Sequence, residues 1–387
     1  MSSSTLQEKP TVAVVVGTRP EVIKLAPLVD ALREQGTYAP LLVASGQHRQ
    51  MLYQALRAFD LEPDLDLAVM RDGQTLSDVT SRTLEGFQGV LRRQRPSWVV
   101  VQGDTTTAFA AALAAFYERI PVAHVEAGLR SGRRDSPFPE EINRRLVDQI
   151  AEALFAPTAQ ARDLLLAEGF APERIEVTGN TVVDALLGVR ERLRRAPVAI
   201  PGLPEEALRG RRLVLVTAHR RESFGRALEE VCRALRDLAR SVPDLCIVYP
   251  VHLNPQVDGP VRRLLGDEPR VVLLEPVGYL EFVALLERCH LVLTDSGGVQ
   301  EEAPTFGKPL LVMREVTERP EGIAAGVARL VGTRADAIVA HARRLLEDPA
   351  AYAAMAAGHN PYGDGQAASR IAASLRRRDL AARSAAA

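Results

Sequence analysis

The stretch WVVVQGDTTTAFAAALAAFYERIPVAHVE, residues 98–126, contains one complete strand–helix–strand unit. A strand-like run, Trp98–Gln102, is followed by an alanine-rich helical stretch, Thr105–Arg119, and then by a second strand-like run, Pro121–Glu126. Short β-branched runs that alternate with helical stretches of ten or more residues indicate βαβ units around a buried parallel sheet. The unit therefore predicts an α/β fold.

The same alternation extends from this unit toward both ends of the chain. In the first half the other predicted strands are Val12–Gly17, Leu41–Ser45, Leu154–Ala156 and Ile175–Gly179, and the other predicted helices are Pro20–Gln35, Thr75–Arg93 and Thr158–Glu168. In the second half the predicted strands are Leu213–Ala218, Leu245–Val251, Val271–Glu275, Leu291–Asp295, Pro309–Met313 and Ala328–Gly332. Residues 196–212 hold three prolines and two glycines, which is typical of an interdomain connection. We predict two doubly wound, Rossmann-like domains, 1–195 and 196–365, and a helical tail, 366–387, that packs back on one of them.

Composition excludes several classes of protein. Of the 387 residues 47% are hydrophobic and 25% charged, which excludes a disordered chain, a collagen-like fibre and a coiled coil. The 48 basic and 49 acidic residues nearly cancel, so no nucleic-acid partner is indicated. Cys232, Cys246 and Cys289 form no CxxC pair, and we expect neither a metal site nor a disulfide but inert core residues. Without a secretory signal or a membrane-length apolar run, the expected location is cytoplasmic and no membrane partner is expected.

Ligands of open α/β sheets bind beyond the carboxyl ends of the strands, so the residues after each strand are the informative ones. The first strand is followed by GTRPEVIKL, residues 17–25, in which Arg19 and Lys24 flank a helix start and suit an anion. An ordinary turn with solvated cations is the alternative. The segment is not GxGxxG, so no dinucleotide-binding fingerprint is present here.

Three acids follow strands or open a helix on what we expect to be one rim of the first sheet. They are Asp104, Glu126 and Glu140. Asp104 is also placed to cap the next helix, and acids in a first helical turn favour the helix dipole, so each has a structural alternative. Carboxylates on one rim suit general acid/base chemistry.

The second half of the chain also has polar residues directly after its predicted strands. His219 follows a strand and precedes two arginines, which suits phosphate contact. Ser296, Gly297 and Gly298 follow another strand and open a helix, where free backbone N–H groups favour a diphosphate; a glycine-rich turn with serine capping is the alternative. Glu302 lies one turn into that helix, where its carboxylate suits ribose hydroxyls.

Together these segments resemble the non-hydrolysing UDP-N-acetylglucosamine 2-epimerases of bacteria. The matching segments are GTRPEVIKLAP, SGQHRQML, VQGDTTT, HVEAGLRSG, SPFPEEINR, TGNTVVD, TAHRRESFG, YPVHLNP, DSGGVQEEAPTFGKP and TERPEG, in order from residue 17 to 322. The resemblance implies a fold like that of GT-B glycosyltransferases, with UDP in an interdomain cleft, and a homodimer with no cofactor and no metal. It implies interconversion of UDP-N-acetylglucosamine and UDP-N-acetylmannosamine through elimination of UDP to a 2-acetamidoglucal, for cell-surface polysaccharide biosynthesis.

The resemblance also implies roles for single residues. The acid/base candidates are Asp104, Glu126 and Glu140, with His219 near the diphosphate as a further one. The implied nucleotide-sugar contacts are Arg19, Lys24, Phe282, Ser296, Gly297, Gly298, Glu302 and Arg319. A position beside the uracil that is often glutamine in relatives is here Val277, so that contact is missing.

A second, activating UDP-N-acetylglucosamine site is implied by the same resemblance. Its matching positions are Gln47, Gln50, Gln74, Arg220 and His252. An arginine that is usual in that site corresponds here to Gly73, with Arg71 nearby, so we expect weakened activation.

Three other functions compete with this interpretation. A glycosyltransferase with the same donor shares the implied fold, but transfer usually requires one base rather than three acids. A catalytically silent sensor does not need the acids at all. A hydrolysing epimerase, which releases UDP and free N-acetylmannosamine, is the nearest rival.

Overall fold

The computed structural model describes residues 9–47, 49–71, 73–220 and 223–386. The chain forms two compact units. Unit 1 comprises the chain up to Ala185 together with the segment from Tyr362 onward, and unit 2 comprises Leu186–Pro361.

Unit 1 is a parallel sheet flanked by helices. Its elements are β1 (Thr11–Val16), α1 (Arg19–Gln35), β2 (Ala39–Ala44), α2 (Arg49–Ala58), β3 (Leu65–Asp66), α3 (Leu76–Gln94), β4 (Trp98–Gln102), α4 (Thr106–Tyr117), β5 (Val122–Val125), α5 (Glu140–Ile150), β6 (Ala153–Ala156), α6 (Ala159–Ala167), β7 (Ile175–Val177) and α7 (Thr181–Arg195), which continues into unit 2. The strand order is β3-β2-β1-β4-β5-β6-β7. The order reverses between β1 and β4, the position at which doubly wound sheets bind ligands.

The register of this sheet brings the predicted acids to one edge. Gln102, the last residue of β4, lies opposite Val125, the last residue of β5. The next residues along the chain, Gly103–Asp104 and Glu126, therefore leave the sheet at the same edge. The core beneath them is fully buried and consists of valine-rich strands covered on both faces, as continuous apolar runs require.

Unit 2 repeats this architecture. Its elements are α8 (Glu205–Leu208), β8 (Arg212–Thr217), α9 (Arg226–Ser241), β9 (Leu245–Pro250), α10 (Pro255–Leu265), β10 (Val271–Leu274), α11 (Tyr279–Arg288), β11 (Leu291–Thr294), α12 (Gly297–Glu302), β12 (Leu310–Val312), α13 (Pro320–Ala324), β13 (Ala328–Leu330), α14 (Ala335–Glu347) and α15 (Pro349–Ala356). The strand order is β10-β9-β8-β11-β12-β13, which reverses between β8 and β11. Because Thr217 pairs with Thr294, His219 and Asp295 leave this sheet at one edge.

All twelve predicted strands are present, and the predicted α/β class with two doubly wound, Rossmann-like units is confirmed. The strand β3 was missed because it has only two residues, too few for a sequence pattern. The three cysteines are free and buried, and burial raises the pKa of Cys232 and of Cys289 to about 12, so their thiols are inert as predicted.

The division between the units differs from the predicted boundaries. It falls between Ala185 and Leu186, within α7, rather than at residue 195. The proline-rich stretch 196–212 belongs to unit 2, where Ile200 and Leu203 are buried. A continuous helix carries no change of composition at the boundary, and prolines mark turns inside a domain as well as between domains.

A final helix, α16 (Ala367–Ala386), follows the return of the chain to unit 1. Ile371 and Leu375 are fully buried in the core that also contains α1. Asp379 accepts hydrogen bonds from Tyr38 Oη and from Trp98 Nε1, each at 2.6 Å. The C-terminal helix is thus an integral layer of unit 1.

Candidate active site

Glu126 has an unusual backbone at the end of β5. Its φ is +69°, a left-handed conformation that costs a non-glycine residue about 1–3 kcal/mol and is concentrated at functional sites. The N–H groups of Glu126 and Ala127 both donate to the carbonyl of Phe155 at 3.0 Å, which fixes this conformation. The backbone therefore directs the Glu126 side chain away from the regular strand position.

Three donors hold the Glu126 carboxylate, which is only 8% exposed. Lys24 Nζ donates to Oε1 at 2.5 Å, Asn180 Nδ2 donates to Oε1 at 3.3 Å, and Gln102 Nε2 donates to Oε2. The carboxylate therefore has one cation and two amide groups as partners. The predicted contact residue Lys24 is thus an ion-pair partner of the predicted acid Glu126 in unit 1.

Asp104 does not cap the helix that follows it. The N-cap of α4 is Thr105, whose hydroxyl accepts from the N–H of Ala108 at 3.0 Å. The Asp104 carboxylate instead pairs with Arg144 through Oδ2, and its carbonyl accepts from Asn143 Nδ2 at 2.9 Å. Within the described residues Oδ1 of Asp104 accepts no hydrogen bond. The capping alternative for Asp104 is therefore wrong, and one carboxylate oxygen remains available.

The two adjacent acids at the start of α5 differ in their surroundings. Glu141 is fully buried, pairs with Arg144 at 3.4 Å and Arg145 at 3.0 Å, and accepts from the N–H of Ser131 at 3.0 Å. Glu140 is half-buried, and its carboxylate forms no hydrogen bond or ion pair with any residue of the described chain. Glu141 therefore has the structural role, and Glu140 is the acid available for chemistry.

The turn between β1 and α1 is stabilised by a buried acid that the sequence did not single out. The Glu21 carboxylate accepts from the N–H groups of Gly17 and Thr18 at 2.9 and 2.7 Å, and from the hydroxyl of Thr105 at 2.6 Å. Burial raises the pKa of Glu21, although these hydrogen bonds oppose the shift. Arg19 is the first residue of α1, half-buried, and forms no ion pair among the described residues. It is the cation of this turn that remains available for an anion.

In unit 2, a buried carboxylate organises the residues after β8. Asp295 is 1% exposed, and its Oδ2 accepts from the N–H groups of His219 and Arg220 at 2.8 Å each. His219 is exposed and stacks on His252, with ring centroids 5.5 Å apart. His219 is therefore held by its backbone, while its ring lies at the surface of the rim. Arg221, the second arginine of this motif, lies outside the described residues.

The Ser296–Gly298 turn opens α12 with two guanidinium groups close by. Ser296 is the N-cap, but its side chain makes no capping hydrogen bond, so the serine-capping alternative is not what the structure has. A Cβ on Gly297 would lie 3.2 Å from Arg220 Nη2 and 4.0 Å from Arg319 Nη2. Glycine at this position therefore lets two cations approach the helix start, an arrangement that suits a phosphate.

Neighbouring acids position these two arginines. Arg319 Nε donates to Glu301 at 2.5 Å, and Arg220 lies 3.9 Å from Glu318. Burial raises the pKa of Glu318, but its paired hydrogen bonds with Arg314 outweigh burial and lower that pKa to about 2. Glu318 is therefore an anion beside Arg220 at neutral pH.

The remaining predicted contacts of unit 2 are buried or lie in loops. Glu302 is 8% exposed at the end of α12, and Phe282 is 8% exposed in the first turn of α11. Val277 is half-buried in the loop before α11. The side chains of Glu302 and Phe282 therefore expose only a small surface.

The positions of the implied activating site fall into separate groups. In unit 1, Gln47 accepts from the Thr107 hydroxyl at 2.8 Å, whereas Gln74 accepts from the N–H of Arg71 at 3.0 Å in the loop before α3. Gln50 belongs to α2, and its side chain lies outside the described residues. In unit 2, Arg220 follows His219 in the sequence and its N–H donates to the same carboxylate, Asp295, whereas the ring of His252 stacks on that of His219. Gln47 and Gln74 make no hydrogen bond with each other in the described structure.

No group of three or more histidine, cysteine, aspartate or glutamate side chains in the described residues is arranged to hold a metal ion. Among the same residues, no helix is both long and apolar enough to span a membrane.

Comparison with known proteins decides the family. The sequence profile described as UDP-N-acetylglucosamine 2-epimerase matches residues 30–376. The chain belongs to the UDP-N-acetylglucosamine 2-epimerase family. It is 51% identical to the UDP-N-acetylglucosamine 2-epimerase of Escherichia coli (strain K12), over 94% of this chain and 98% of that one. Its identity to the Salmonella typhimurium enzyme of the same name is also 51%, over 94% and 98% of the two chains.

A solved structure of an epimerase agrees with the fold. The crystal structure of UDP-GlcNAc 2-epimerase from Neisseria meningitidis bound to UDP-GlcNAc superposes with a TM-score of 0.87. It is 42% identical and is matched over 95% of this chain and 100% of its own. The predicted resemblance to this family, and the prediction of an isomerase, are confirmed.

Sequence reasoning named the acids of the first rim but not their partners. It missed roles for Gln102, Asn143, Arg144 and Asn180. All four stand in segments that the family resemblance already contains, VQGDTTT for Gln102, SPFPEEINR for Asn143 and Arg144, and TGNTVVD for Asn180. For Gln102, Asn143 and Arg144 the available signal was an amide or arginine within four residues of a predicted acid. Asn180 lies 54 residues from its partner Glu126 and has no such signal.

Proposed function

We propose that this enzyme interconverts UDP-N-acetylglucosamine and UDP-N-acetylmannosamine without net hydrolysis. Membership of the epimerase family supports the overall reaction. The observation that carries the proposal is the rim of unit 1, where Asp104 and Glu140 each keep a carboxylate oxygen without a partner among the described residues. Two such acids suit a reaction that must remove a proton from one face of a carbon and deliver one to the other face.

The proposed reaction proceeds by elimination and re-addition of UDP. A base removes the C2 proton, the electron pair of that C–H bond forms the C1=C2 double bond, and the C1–O bond breaks so that UDP leaves with its pair. In the second half, a phosphate oxygen of UDP adds to C1 and an acid delivers a proton to the opposite face of C2. The 2-acetamidoglucal between the halves has no oxidation change, so no cofactor is required.

Glu126 occupies a different position in this scheme from the other acids. Its Oε1 takes two hydrogen bonds and its Oε2 takes one, so three of its roughly four acceptor positions are occupied. We therefore assign Asp104 and Glu140 as the residues that accept and donate the protons, because each already has a carboxylate oxygen without a partner among the described residues. Glu126 becomes available when Lys24 turns toward the phosphates of a bound substrate.

Unit 2 supplies the diphosphate contacts in this proposal. Gly297 and Gly298 offer backbone N–H groups at the start of α12, and Arg319 and His219 contribute positive or polar groups nearby. The N–H of Ser296 already donates to the Thr294 hydroxyl at 2.9 Å, so Ser296 offers its own hydroxyl instead. Arg19 and Lys24 are the corresponding cations of unit 1. Charge placed where UDP departs stabilises the leaving group in the transition state. Glu302 and Phe282 are the proposed ribose and uracil contacts.

Further properties are proposed from the family resemblance alone. We propose a cytoplasmic homodimer that supplies cell-surface polysaccharide biosynthesis, and activation by a second molecule of UDP-N-acetylglucosamine at Gln47, Gln50, Gln74, Arg220 and His252. Light scattering on the purified protein tests the dimer.

One experiment tests the reaction against its rivals. The protein is incubated with UDP-N-acetylglucosamine alone in D2O and the sugar is followed by proton and carbon NMR. We expect UDP-N-acetylmannosamine with deuterium at C2 and no requirement for an acceptor. Free N-acetylmannosamine as the main product would establish the hydrolysing reaction instead. Absence of both product and exchange would contradict an epimerase and favour transfer or sensing.

A further inference from the structure

A closed circuit of alternating charges lies behind the Gly103–Asp104 turn of unit 1. Beginning at the acid, its members are Asp104, Arg144, Glu141, Arg145, Glu168, Arg130, Asp148 and His124, and we refer to these eight side chains as the charge ring. The ring closes on the same turn, because His124 Nε2 lies 2.8 Å from the carbonyl oxygen of Gly103.

The contacts of the charge ring are close over most of its length. Arg145 lies 3.6 Å from Glu168, Arg130 lies 2.7 Å from Glu168 and 2.8 Å from Asp148, and Asp148 lies 2.6 Å from His124. Burial alone would lower the pKa of Arg130, but Glu168 and Asp148 raise it above its ordinary range. The hydrogen bond from Arg130 lowers the pKa of Glu168. Both groups are therefore charged throughout the neutral range.

Hydrogen-bond chemistry fixes the protonation of His124. A backbone carbonyl can only accept, so Nε2, which faces the carbonyl of Gly103, must carry a proton. The ionised carboxylate of Asp148 can only accept as well, and the guanidinium of Arg130 beside its other oxygen favours that ionised form. The Nδ1 of His124 must then also carry a proton. These two hydrogen-bond partners predict that the fully buried His124 is an imidazolium.

Charge balance leads independently to the same protonation state. The ring holds four carboxylates and three guanidinium groups, so it is neutral only when His124 carries the fourth positive charge. Asp148 and His124 are both completely buried, where an uncompensated charge is strongly unfavourable. With a neutral His124 the ring as a whole would carry one net negative charge.

We propose that His124, as a buried imidazolium, is a positioning residue for Asp104. It holds the carbonyl of Gly103 from one side, while Arg144 and Asn143 hold the carboxylate and the carbonyl of Asp104 from the other. The charge ring thereby fixes the turn so that Oδ1 of Asp104 is the oxygen presented to the reacting carbon. This inference rests on the proposed function for the role of Asp104, but not for the charge of His124.

The charge of His124 is tested in the wild-type protein. Protein with nitrogen-15-labelled histidine is examined by NMR at neutral pH, and the His124→Gln variant assigns the signal. We expect directly bonded protons on both ring nitrogens of His124. A neutral tautomer would overturn the proposal, and this readout does not depend on catalytic activity.

The positioning role is tested by kinetics with a rescue variant. His124→Gln removes one positive charge, and His124→Gln/Asp148→Asn restores neutrality by removing one negative charge as well. We expect kcat of the single variant to fall about 10²-fold, as for a catalytic group misplaced by about 1 Å, with KM nearly unchanged. The kcat of the double variant should be at least about tenfold higher than that of the single variant.

The kinetic test of the positioning role uses a second histidine as its control. His341→Gln changes a half-buried histidine of α14 in unit 2 and should keep wild-type kcat. Unchanged kcat in a folded His124→Gln variant, or a double variant more impaired than the single one, would overturn the positioning role. If the single variant does not fold, the charge-balanced double variant provides the kinetic comparison with wild type. Wild-type protein without epimerisation would contradict the proposed function and leave the nitrogen-15 result to decide the charge of His124.

Discussion

The carboxylate of Asp295 lies directly behind His219. Its Oδ2 accepts the N–H of His219 at 2.8 Å, and its Oδ1 lies 3.8 Å from Nδ1 of the same histidine. Oδ1 is buried and accepts no hydrogen bond from the described residues. A buried charged oxygen without a donor is costly, so rotation of the His219 ring that brings Nδ1–H to Oδ1 is favourable. That rotation would direct Nε2 outward, toward the proposed diphosphate position.

The first prediction concerns this pair. Asp295→Asn keeps an oxygen for one backbone N–H but removes the negative charge that faces the His219 ring. We expect kcat to fall roughly 10–100-fold, the usual effect of losing a group that orients a functional histidine. Steady-state kinetics measures this, with the exposed Asp336→Asn as the control. Wild-type kcat together with unchanged His219 NMR signals would contradict an interaction between the two side chains.

The second prediction separates the two adjacent acids of α5. Glu140→Gln should lower kcat about 10²–10⁴-fold, the usual contribution of a general acid or base, without a change in melting temperature, because Glu140 has no partner in the described structure. Glu141→Gln breaks buried ion pairs and should cost about 3–5 kcal/mol of stability. Thermal unfolding and deuterium exchange at C2 are measured on both variants. A destabilised Glu140→Gln variant with normal turnover per folded molecule would restore the structural interpretation of Glu140.

The fold was predictable because each strand is a separate β-branched run. Trp98–Gln102 and Leu213–Ala218 are apolar on both faces, and only a buried parallel sheet covers both. The division within α7 was not predictable, since the residues on either side of Ala185 share one helical pattern. The two-residue strand β3 forms only because its neighbour β2 presents free backbone groups.

The positions of the site residues at strand ends could be predicted from the sequence, but the side-chain contacts between them could not. Register places Asp104 and Glu126 at one edge, and this follows from the strand pattern. The pairing of Lys24 with Glu126 joins residues 102 positions apart, and that of Arg144 with Asp104 joins residues 40 apart. Such partners depend on helix placement over the sheet, and no local pattern reports it. The left-handed φ of Glu126 is likewise imposed by its hydrogen bonds to Phe155 and has no signature in the residue type.

The third prediction concerns the diphosphate contact at Ser296. Ser296→Asp should preserve the fold, because aspartate is a favourable N-cap and suits the helix dipole. The added negative charge should repel UDP, and we expect the affinity measured by calorimetry to fall at least about tenfold. Ser241→Asp, at the exposed end of α9 in the same unit, is the matched control and should bind UDP normally. UDP binding equal to wild type in Ser296→Asp would place the diphosphate elsewhere.

The fourth prediction concerns the proposed activation by UDP-N-acetylglucosamine. Gly73 has a φ of +67°, and a Cβ there would meet no atom within 4 Å, so arginine fits sterically at a modest backbone cost. We expect wild-type activation to be weak and Gly73→Arg to strengthen it, since one charge-assisted phosphate contact changes affinity by about 10- to 150-fold. The assay starts from UDP-N-acetylmannosamine and titrates small amounts of the epimer.

Gly210 offers a matched control for the strain in that variant. Its φ is +68° and it is equally open, so Gly210→Arg should lower stability to a similar extent without any change in activation. Strong activation of the wild type at low micromolar concentrations of UDP-N-acetylglucosamine would contradict the prediction that its activation is weak. Equal activation of the Gly73→Arg and wild-type enzymes would show that position 73 does not contact the effector.

The last prediction concerns acid stability and Glu318. Its pKa falls from an ordinary value of 4.5 to about 2, because the hydrogen bonds and charge of Arg314 outweigh the opposing effect of burial. A carboxyl whose pKa is lower in the folded than in the unfolded protein stabilises the fold above its unfolded pKa, and that contribution is lost as the pH falls from about 4.5 toward 2. Because the Glu318 side chain is 30% exposed, solvent screening limits the contribution to about 1–2 kcal/mol.

The free energy of unfolding in urea should therefore differ by this amount between wild type and Glu318→Gln at pH 6, and the difference should shrink at pH 3. Glu315→Gln changes an exposed neighbouring acid and should match wild type at both pH values. A difference between wild type and Glu318→Gln that stays constant with pH would mean that its origin is side-chain shape rather than the ion pair with Arg314.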